Sequence, residues 1–298
     1  IAGIDTRALT KILREKGTMN GMITTNENYD FEQIQPKLKA YTTGKVVEKV
    51  SCKEKYVVAP TTELSQNGSL SGSAKFDKAA YEKGVREPRP TLVRELNGAG
   101  LKVALMDFGA KANIAHSLAE RGCEVTVYPA LTGAEEIIAS VPDGIMLSNG
   151  PGDPKECTTI IEEIRKLYQT DIPIFAICLG HQLMALATGA DTHKMKYGHR
   201  GGNHPVKDLE TGRVYISSQN HGYVVDTDKL DPKVAVPAFI NVNDGTNEGL
   251  SYTGKNIFTV QYHPEACPGP QDSRYLFDRF IRMMREHKEQ IEGGQKNA

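Results

Sequence analysis

A regular alternation of strand-like and helix-like segments begins at residue 101 and constrains the fold more than any other feature. The predicted strands lie at 101–109, 123–129, 144–148 and 172–178, and the predicted helices at 112–122, 134–140, 157–169 and 181–189. This alternation predicts an α/β fold, with a mostly parallel sheet and helices on both faces. Such sheets bind ligands beyond the carboxyl ends of their strands, so we expect chemistry after Phe108, Ser148 and Ile177.

The rest of the chain divides into further predicted regions. We interpret residues 1–60 as the last part of an α/β domain whose beginning is missing, and residues 61–100, rich in Ser, Thr and Gly, as a linker. Residues 101–290 form the main predicted domain, and 291–298 a flexible tail. Further elements are expected as a helix from Asp5 or Thr6 to Gly17, a helix near 31–38, strands at 46–50 and 56–59, β-rich sequence after 200 and an amphipathic helix near 272–288.

Composition excludes several functional classes. The 36 basic and 37 acidic residues of the 298-residue chain give a net charge of −1, which disfavours a nucleic-acid or anionic-lipid partner. The longest apolar run, 172–179, is far shorter than the roughly 20 residues of a membrane span. Five cysteines without a CxxC pair disfavour a disulfide scaffold and a zinc ribbon, so we expect a reducing, cytoplasmic setting.

The sharpest local motif is AICLGHQ at 176–182, where a buried strand turns directly into a helix. Cys178 lies at the turn, and the small residues Ala176 and Gly180 fit a strained nucleophile elbow. The N-terminus of the following helix favours the thiolate, and the backbone N–H of Leu179 is a natural oxyanion donor. The alternative is a small cysteine buried at the end of a strand.

A base for this thiol follows the predicted strand 256–262. His263 and Glu265 are two residues apart, and Pro264 favours extended backbone at His263, so both side chains point the same way. The carboxylate can hold the imidazole in one tautomer while the other ring nitrogen faces a thiol. The alternative is a turn that carries two solvated side chains.

Two further segments are candidate ligand sites. The loop 147–154 has two glycines and two prolines, which suits close backbone approach and oxyanion binding. A surface turn is an adequate alternative, but the position of the loop beside the other two strand ends favours a function. The polar segment 218–223 could bind a polar ligand or form a turn between strands. His193, His199 and His204 lack regular ligand spacing, so we expect no metal site.

Together, CLGHQ, the late HPE and SNGPGDP resemble a class I glutamine amidotransferase domain. More narrowly, nearly the whole chain resembles the small, glutamine-hydrolysing subunit family of carbamoyl-phosphate synthases. The motifs that carry this likeness are GIDTRALTKILREKG (3–17), DFGAKANI (107–114), LSNGPGDP (147–154), HRGGNHPV (199–206) and SSQNHGYVVD (217–226). Relative to that family, the N-terminal domain is truncated and the linker is longer.

The resemblance implies a role for each matching residue. Cys178 is the nucleophile, His263 the base and Glu265 its partner. Gly150 and Leu179 are implied as oxyanion donors. The implied contacts with glutamine are Gly152, Gln182, Asn220, Gly222 and Tyr223.

The implied activity is hydrolysis of L-glutamine, with ammonia passed to a large partner subunit in a heterodimer. That subunit uses ATP, Mg²⁺ and bicarbonate to make carbamoyl phosphate for arginine and pyrimidine synthesis, and no cofactor is expected in this chain. Two alternatives remain open. The first is another amidotransferase glutaminase, such as that of anthranilate, GMP or CTP synthesis, or a γ-glutamyl hydrolase, which residues 1–60 disfavour. The second is a non-catalytic binding subunit, which the retained Cys, His and Glu disfavour.

Overall fold

The computed structural model describes residues 3–42, 44–60, 98–267 and 269–296, so most of the predicted linker lies outside the described residues. The helices are α1 (Thr6–Lys16), α2 (Phe31–Ala40), α3 (Val46–Val50), α4 (Ala112–Ala119), α5 (Ala134–Ala139), α6 (Thr158–Tyr168), α7 (Leu179–Ala187) and α8 (Tyr275–Lys296), with 3₁₀ turns at Pro154–Glu156 and Thr227–Lys229. The strands are β1 (Tyr56–Val58), β2 (Lys102–Asp107), β3 (Glu124–Pro129), β4 (Gly144–Leu147), β5 (Ile174–Ile177), β6 (Thr192–Asp208), β7 (Val214–Val225), β8 (Ala235–Asn241), β9 (Asn247–Tyr252) and β10 (Ile257–Val260).

All described strands form one mixed sheet, in the order β1-β3-β2-β4-β5-β10-β9-β8-β6-β7. Strands β3, β2, β4, β5 and β10 run parallel to one another, while β1 and the four strands beyond β10 pair antiparallel. The predicted α/β class is confirmed, and each strand predicted between 101 and 178 is present. The parallel order brings the carboxyl ends of β2, β4, β5 and β10 to one edge of the sheet.

The two faces of the parallel strands are buried by different helices. Phe175 and Met146 belong to one apolar cluster, in which the Phe175 ring lies 5.7 Å from that of Phe277 in α8. The adjacent Ala176 and Leu147 belong to the opposite cluster, with residues of α6 and α7. Because helices cover both faces of the sheet here, the sequences of these strands are continuous apolar runs and do not alternate between apolar and polar residues.

The N-terminal segment is attached to the strand ends by backbone hydrogen bonds to side chains. Cys52 N–H donates to Asp107 Oδ2 at 2.7 Å, and Ala130 N–H donates to Ser51 Oγ at 2.9 Å. The strand predicted at 46–50 is wrong, because this stretch is the helix α3. Its valines favour a strand by propensity, but burial of Val47 in the core decides the local structure.

The C-terminal helix α8 is longer than predicted, since it runs to Lys296 and includes much of the expected tail. Among the described residues, no helix is both long enough and apolar enough to cross a membrane. The outer boundaries of the predicted domains stay predictions.

A buried arginine fastens α8 to the end of α4. The Arg121 side chain is 1% exposed, and its Nε donates to Asp278 Oδ1 at 2.6 Å. Its other nitrogens donate to the backbone carbonyls of Ser117 at 2.8 Å and Arg274 at 3.1 Å. One guanidinium therefore links the end of α4 to the start of α8.

We predict that Arg121→Met lowers the free energy of unfolding by about 3 kcal/mol, because it removes this donor from the buried carbonyl of Ser117 and the part-buried carbonyl of Arg274. Chemical denaturation measures this loss. Arg282→Met, at an exposed position of α8, is the matched control and should change stability by less than about 0.5 kcal/mol. Equal effects of the two substitutions would contradict the structural role of Arg121.

Candidate active site

Cys178 stands between β5 and α7 in a strained backbone conformation, with φ +53° and ψ −102°. Its N–H donates to Val260 O at 2.8 Å, and the N–H of Gly180 donates to Ser148 O at 3.0 Å. A Cβ on Gly180 would lie 2.5 Å from Leu147 O, so this position requires glycine. The turn predicted from the sequence is thus present, with neighbours that leave room for small residues only.

His263 and Glu265 approach this turn from the end of β10. His263 N–H donates to Ser218 O at 2.9 Å, which fixes the segment against β7. The His263 Nδ1 donates to Glu265 Oε1 at 2.7 Å, and the ring is within hydrogen-bonding range of the Cys178 side chain. Both side chains are almost completely buried. The structure therefore brings together the nucleophile, base and carboxylate proposed from the sequence.

The electrostatics of this trio favour a charged imidazole. Burial alone would lower the pKa of His263, but the negative charge and hydrogen bonding of Cys178 and then Glu265 outweigh it and hold the pKa well above its usual range. Burial likewise opposes ionisation of Glu265, yet His263 and Lys111 keep the pKa of that carboxyl below its ordinary value. An imidazolium at His263 is thus matched by negative neighbours.

Two residues that the sequence reasoning did not assign support Glu265 from the turn after β2 and the first turn of α4. Lys111 Nζ lies 3.4 Å from Glu265 Oε1, and Asn113 Nδ2 donates to the Glu265 carbonyl at 3.2 Å. Both belong to the DFGAKANI motif, directly after a strand end where the parallel sheet predicts chemistry. That position was the signal that could have identified them.

The loop after β4 packs directly against the elbow. A Cβ on Gly150 would lie 2.3 Å from Phe108 O and 2.7 Å from Leu179 Cδ2, so only glycine fits. Asn149 Oδ1 accepts a hydrogen bond from Lys111 N–H at 3.0 Å, which ties this loop to the turn after β2. Leu179 begins α7, where first-turn N–H groups lack helical acceptors. The loop and the elbow together can surround a developing oxyanion.

These elements border a polar cleft of about 830 Å³. The predicted site residues that line it are Gly150, Gly152, Cys178, Gln182, Asn220, Gly222, Tyr223 and His263. Leu179 and Glu265 do not line it, because Leu179 is buried under the loop and Glu265 lies behind the imidazole. A ligand in this cleft can therefore meet the thiol and the base while the carboxylate stays shielded from it.

The far wall of the cleft is a strand. Residues 218–223 lie inside β7, so the alternative of a turn between strands is wrong for them. The Tyr223 carbonyl accepts hydrogen bonds from Gln182 Nε2 at 2.9 Å and His221 Nδ1 at 2.8 Å. The Tyr223 hydroxyl is within hydrogen-bonding range of Asp153, and burial together with this carboxylate raises the pKa of Tyr223 to about 12.

The N-terminal segment supplies another wall, through Thr18, Asn20, Tyr41 and Thr42. Asn20 Nδ2 donates to Leu38 O at 2.8 Å and to Tyr41 O at 2.9 Å, which joins the two stretches that line the cleft. The sequence reasoning assigned no site residue here, because these residues form no recognisable chemical motif.

A second histidine cluster lies within the antiparallel part of the sheet. The candidate ligand atoms of His199, His221 and Glu248 lie within 4.8 Å of one another. His199 already faces carboxylates on both sides, Asp244 Oδ2 at 2.8 Å and Glu248 Oε1 at 3.3 Å. Burial would lower the pKa of His199, but its hydrogen bonds to these carboxylates outweigh burial and raise it to about 9. The ion pairs of His199 with Asp244 and Glu248 therefore account for the close approach of these side chains. The expectation that the chain has no metal site stays a prediction.

Comparison with known proteins identifies the class of this site. The family model described as "Glutamine amidotransferase class-I" matches residues 104–283. A putative GMP synthase component from Thermoplasma acidophilum has the same fold, with a TM-score of 0.58 at 23% sequence identity over 64% of this chain and 98% of that one. The chain belongs to the class-I glutamine amidotransferase family.

Curated relatives narrow this assignment. The carbamoyl phosphate synthase small chain of Symbiobacterium thermophilum is 45% identical over 285 residues, which are 95% of this chain and 69% of the relative. That of Salmonella typhi is 44% identical over 97% of this chain and 70% of its own length. Within the amidotransferases, the chain is a member of the carbamoyl phosphate synthase small-chain family.

The strained backbone at Cys178 leads to a prediction about stability that does not depend on catalytic activity. Because glycine adopts positive φ without steric cost, Cys178→Gly should be more stable than Cys178→Ala by about 1 kcal/mol. Chemical denaturation of the two variants measures the difference. At Ala176, within β5, Ala→Gly should instead destabilise the protein by about 1 kcal/mol, and the same sign at both positions would contradict strain at the elbow.

Proposed function

We propose that this chain is the glutaminase component of a carbamoyl-phosphate synthase, which hydrolyses L-glutamine to glutamate and ammonia. The observation that carries the proposal is the alignment of Cys178, His263 and Glu265 at a polar cleft. A non-catalytic binding subunit would have no need of a strained cysteine beside a buried histidine–carboxylate pair.

In the first half of the proposed reaction, the Cys178 thiolate attacks the side-chain amide carbon of glutamine. The carbonyl oxygen becomes an oxyanion, which the N–H groups of Gly150 and Leu179 stabilise. The tetrahedral intermediate collapses, the C–N bond breaks, and His263 gives its proton to the departing nitrogen. Ammonia and a γ-glutamyl thioester result.

In the second half, a water molecule attacks the thioester carbon while the now neutral His263 takes a proton from it. The C–S bond then breaks, which releases glutamate and restores the thiolate and the imidazolium. Glu265 holds the Nδ1 proton in both halves, so the opposite nitrogen always faces the reaction. The imidazolium of His263 and the ammonium of Lys111 lower the pKa of Glu265, and Lys111 still favours the charged carboxylate while the imidazole is neutral.

The proposal extends to a partner. The relatives are named small chains, and we infer a large subunit that receives the ammonia and uses ATP, Mg²⁺ and bicarbonate to make carbamoyl phosphate. The two would form a cytoplasmic heterodimer that serves arginine and pyrimidine synthesis. ATP and Mg²⁺ act on the large subunit in this scheme, and this chain needs no cofactor for its own step.

We expect Cys178→Ser to abolish glutamine hydrolysis, because a serine hydroxyl lacks the acidity of a thiol at a site built around a charged pair. Glutamate release measures the loss. Cys267→Ser, which changes an exposed cysteine after the HPE motif, is the matched control and should keep activity. Synthesis from free ammonia by the complex with a large subunit should survive in both variants. Near-normal glutamate release by Cys178→Ser would remove this residue from the mechanism.

The pH profile tests the histidine pair. Because Cys178 and then Glu265 raise the pKa of His263, the imidazolium should persist well above the ordinary histidine pKa of about 6.5, and loss of its proton should lower activity on the alkaline side. Glu265→Gln removes one of the charges that raise this pKa, so the alkaline limb should move to lower pH.

At neutral pH, Glu265→Gln should cost less activity than His263→Asn, which removes proton transfer worth typically about 10²–10⁴-fold. Steady-state glutaminase assays between pH 6 and about pH 10 compare the variants. Glu210→Gln, an exposed acid remote from the cleft, controls for lost charge. If activity falls at the same alkaline pH in Glu265→Gln as in the wild type, the carboxylate does not set the His263 pKa.

A further inference from the structure

One buried carboxylate at the end of β2 holds two parts of the chain at once. The Asp107 side chain belongs to a residue that is 7% exposed, and its Oδ2 accepts the Cys52 N–H at 2.7 Å. Its Oδ1 accepts the N–H groups of Gly109 at 2.9 Å and Ala110 at 2.6 Å. Hydrogen bonds to a carboxylate are charge-assisted and stronger than bonds between neutral groups. Asp107 therefore ties the N-terminal segment to the turn after β2.

This turn is enclosed on both sides. A Cβ on Gly109 would lie 2.8 Å from Val50 Cγ2 and 3.1 Å from Pro151 Cδ, so α3 and the loop after β4 leave no room for a side chain. Gly109 has φ +109°, a conformation that glycine adopts without strain. The turn therefore has one tightly packed arrangement, and the three bonds to Asp107 hold it there.

Residues 109–113, which comprise this turn and the first turn of α4, reach the histidine–carboxylate pair. Lys111 Nζ lies 3.4 Å from Glu265 Oε1, the same oxygen that accepts the bond from His263 Nδ1. Asn113 Nδ2 donates to the Glu265 carbonyl at 3.2 Å. The 109–113 segment thus contacts Glu265 both at its side chain and at its backbone.

We infer that Asp107 is a positioning residue, which acts through the 109–113 segment to hold Glu265 against His263. Asp107 does not line the cleft, whereas Gly109 and Lys111 do, so its effect requires no contact with a ligand. For its effect on turnover the inference rests on the proposed function. Its effect on the imidazole depends on the folded chain alone.

A displaced Glu265 can be detected at His263. The titratable groups that face the imidazole are Cys178 at the elbow, Glu265 on the same segment and His221 in β7, with Lys111 behind the carboxylate. A longer bond from Nδ1 to Glu265 weakens the contact with one anion and leaves Cys178 and His221 in place. The imidazolium is then less stable, so the pKa of His263 falls.

The test replaces Asp107 by asparagine in the full chain. One oxygen becomes an NH2 group, which cannot accept a backbone N–H, so at least one of the three bonds is lost while the size of the side chain is kept. We expect the titration midpoint of His263, followed by NMR of its imidazole, to move to lower pH by about one unit. For L-glutamine, kcat should fall about tenfold with KM within about twofold, because Glu265 does not line the cleft.

A second variant tests the same link if Asp107→Asn does not fold. Asn113→Ala removes only the contact with the Glu265 carbonyl and leaves the carboxylate at the end of β2 intact. The midpoint of His263 should again move to lower pH. In a Glu265→Gln background, which lacks the charge, Asp107→Asn should move the midpoint no further, because the two residues act in series.

Asp143→Asn is the matched control. Asp143 Oδ2 accepts the Lys102 N–H at 2.7 Å at the opposite end of β2, so the same substitution removes a comparable acceptor far from Glu265. It should change neither the midpoint of His263 nor kcat.

An unchanged midpoint in folded Asp107→Asn, or in Asn113→Ala where Asp107→Asn does not fold, would overturn the positioning role. An equal change in Asp143→Asn, or a further change of full size in the Glu265→Gln background, would also overturn it. The titration needs no substrate. A wild-type chain that releases no glutamate, while its variants show the expected midpoints, would therefore contradict the proposed function alone.

Discussion

The left-handed backbone of Cys178 is the constraint on which the rest of the site depends. A non-glycine residue keeps such a conformation only where its surroundings impose it. Here the N–H of Cys178 is bound to β10 and the N–H of Gly180 to the end of β4, so three neighbouring strands hold the turn. The strain is therefore fixed by the centre of the sheet and not by a surface loop.

Much of the site could be predicted because its chemistry follows the ends of parallel strands. The thiol, the glycine loop and the histidine all occur where an apolar run stops, and a parallel sheet brings those ends to one edge. The α/β class could be predicted from the regular alternation of strand-like and helix-like segments after residue 101. These features are local in sequence, so a single chain displays them without any knowledge of long-range contacts.

The features of the fold and the site that were not predicted depend on long-range contacts, which no local sequence pattern contains. The valines at 46–50 form a helix because Val47 is buried in the core, against their β propensity. The polar run 218–223 lies in a long strand, since β6 supplies a partner for nearly its whole length. Lys111 and Asn113 support Glu265 across more than 150 positions of sequence, and only the folded chain shows that they meet.

A comparison of the two buried histidine–carboxylate groups shows what marks a reactive site. Both His199 and His263 have pKa values raised by neighbouring negative charge. The ring of His199 is enclosed by two carboxylates, whereas His263 has a carboxylate on one side and a thiol beside an open cleft on the other. A perturbed pKa is common to structural and functional groups, and access to a ligand separates them.

The walls of the cleft differ in how firmly they are held. The floor is the centre of a ten-stranded sheet with both faces covered, whereas helices α1 and α2, which flank the N-terminal wall, contain no buried residue. Segments with few buried contacts open at low free energy while the core stays folded. Hydrogen exchange should therefore separate the two: amides of the N-terminal wall exchange by local opening, and those of β5 and β10 only on global unfolding. Recognition of a ligand on that wall can thus be lost in a state where the elbow remains intact.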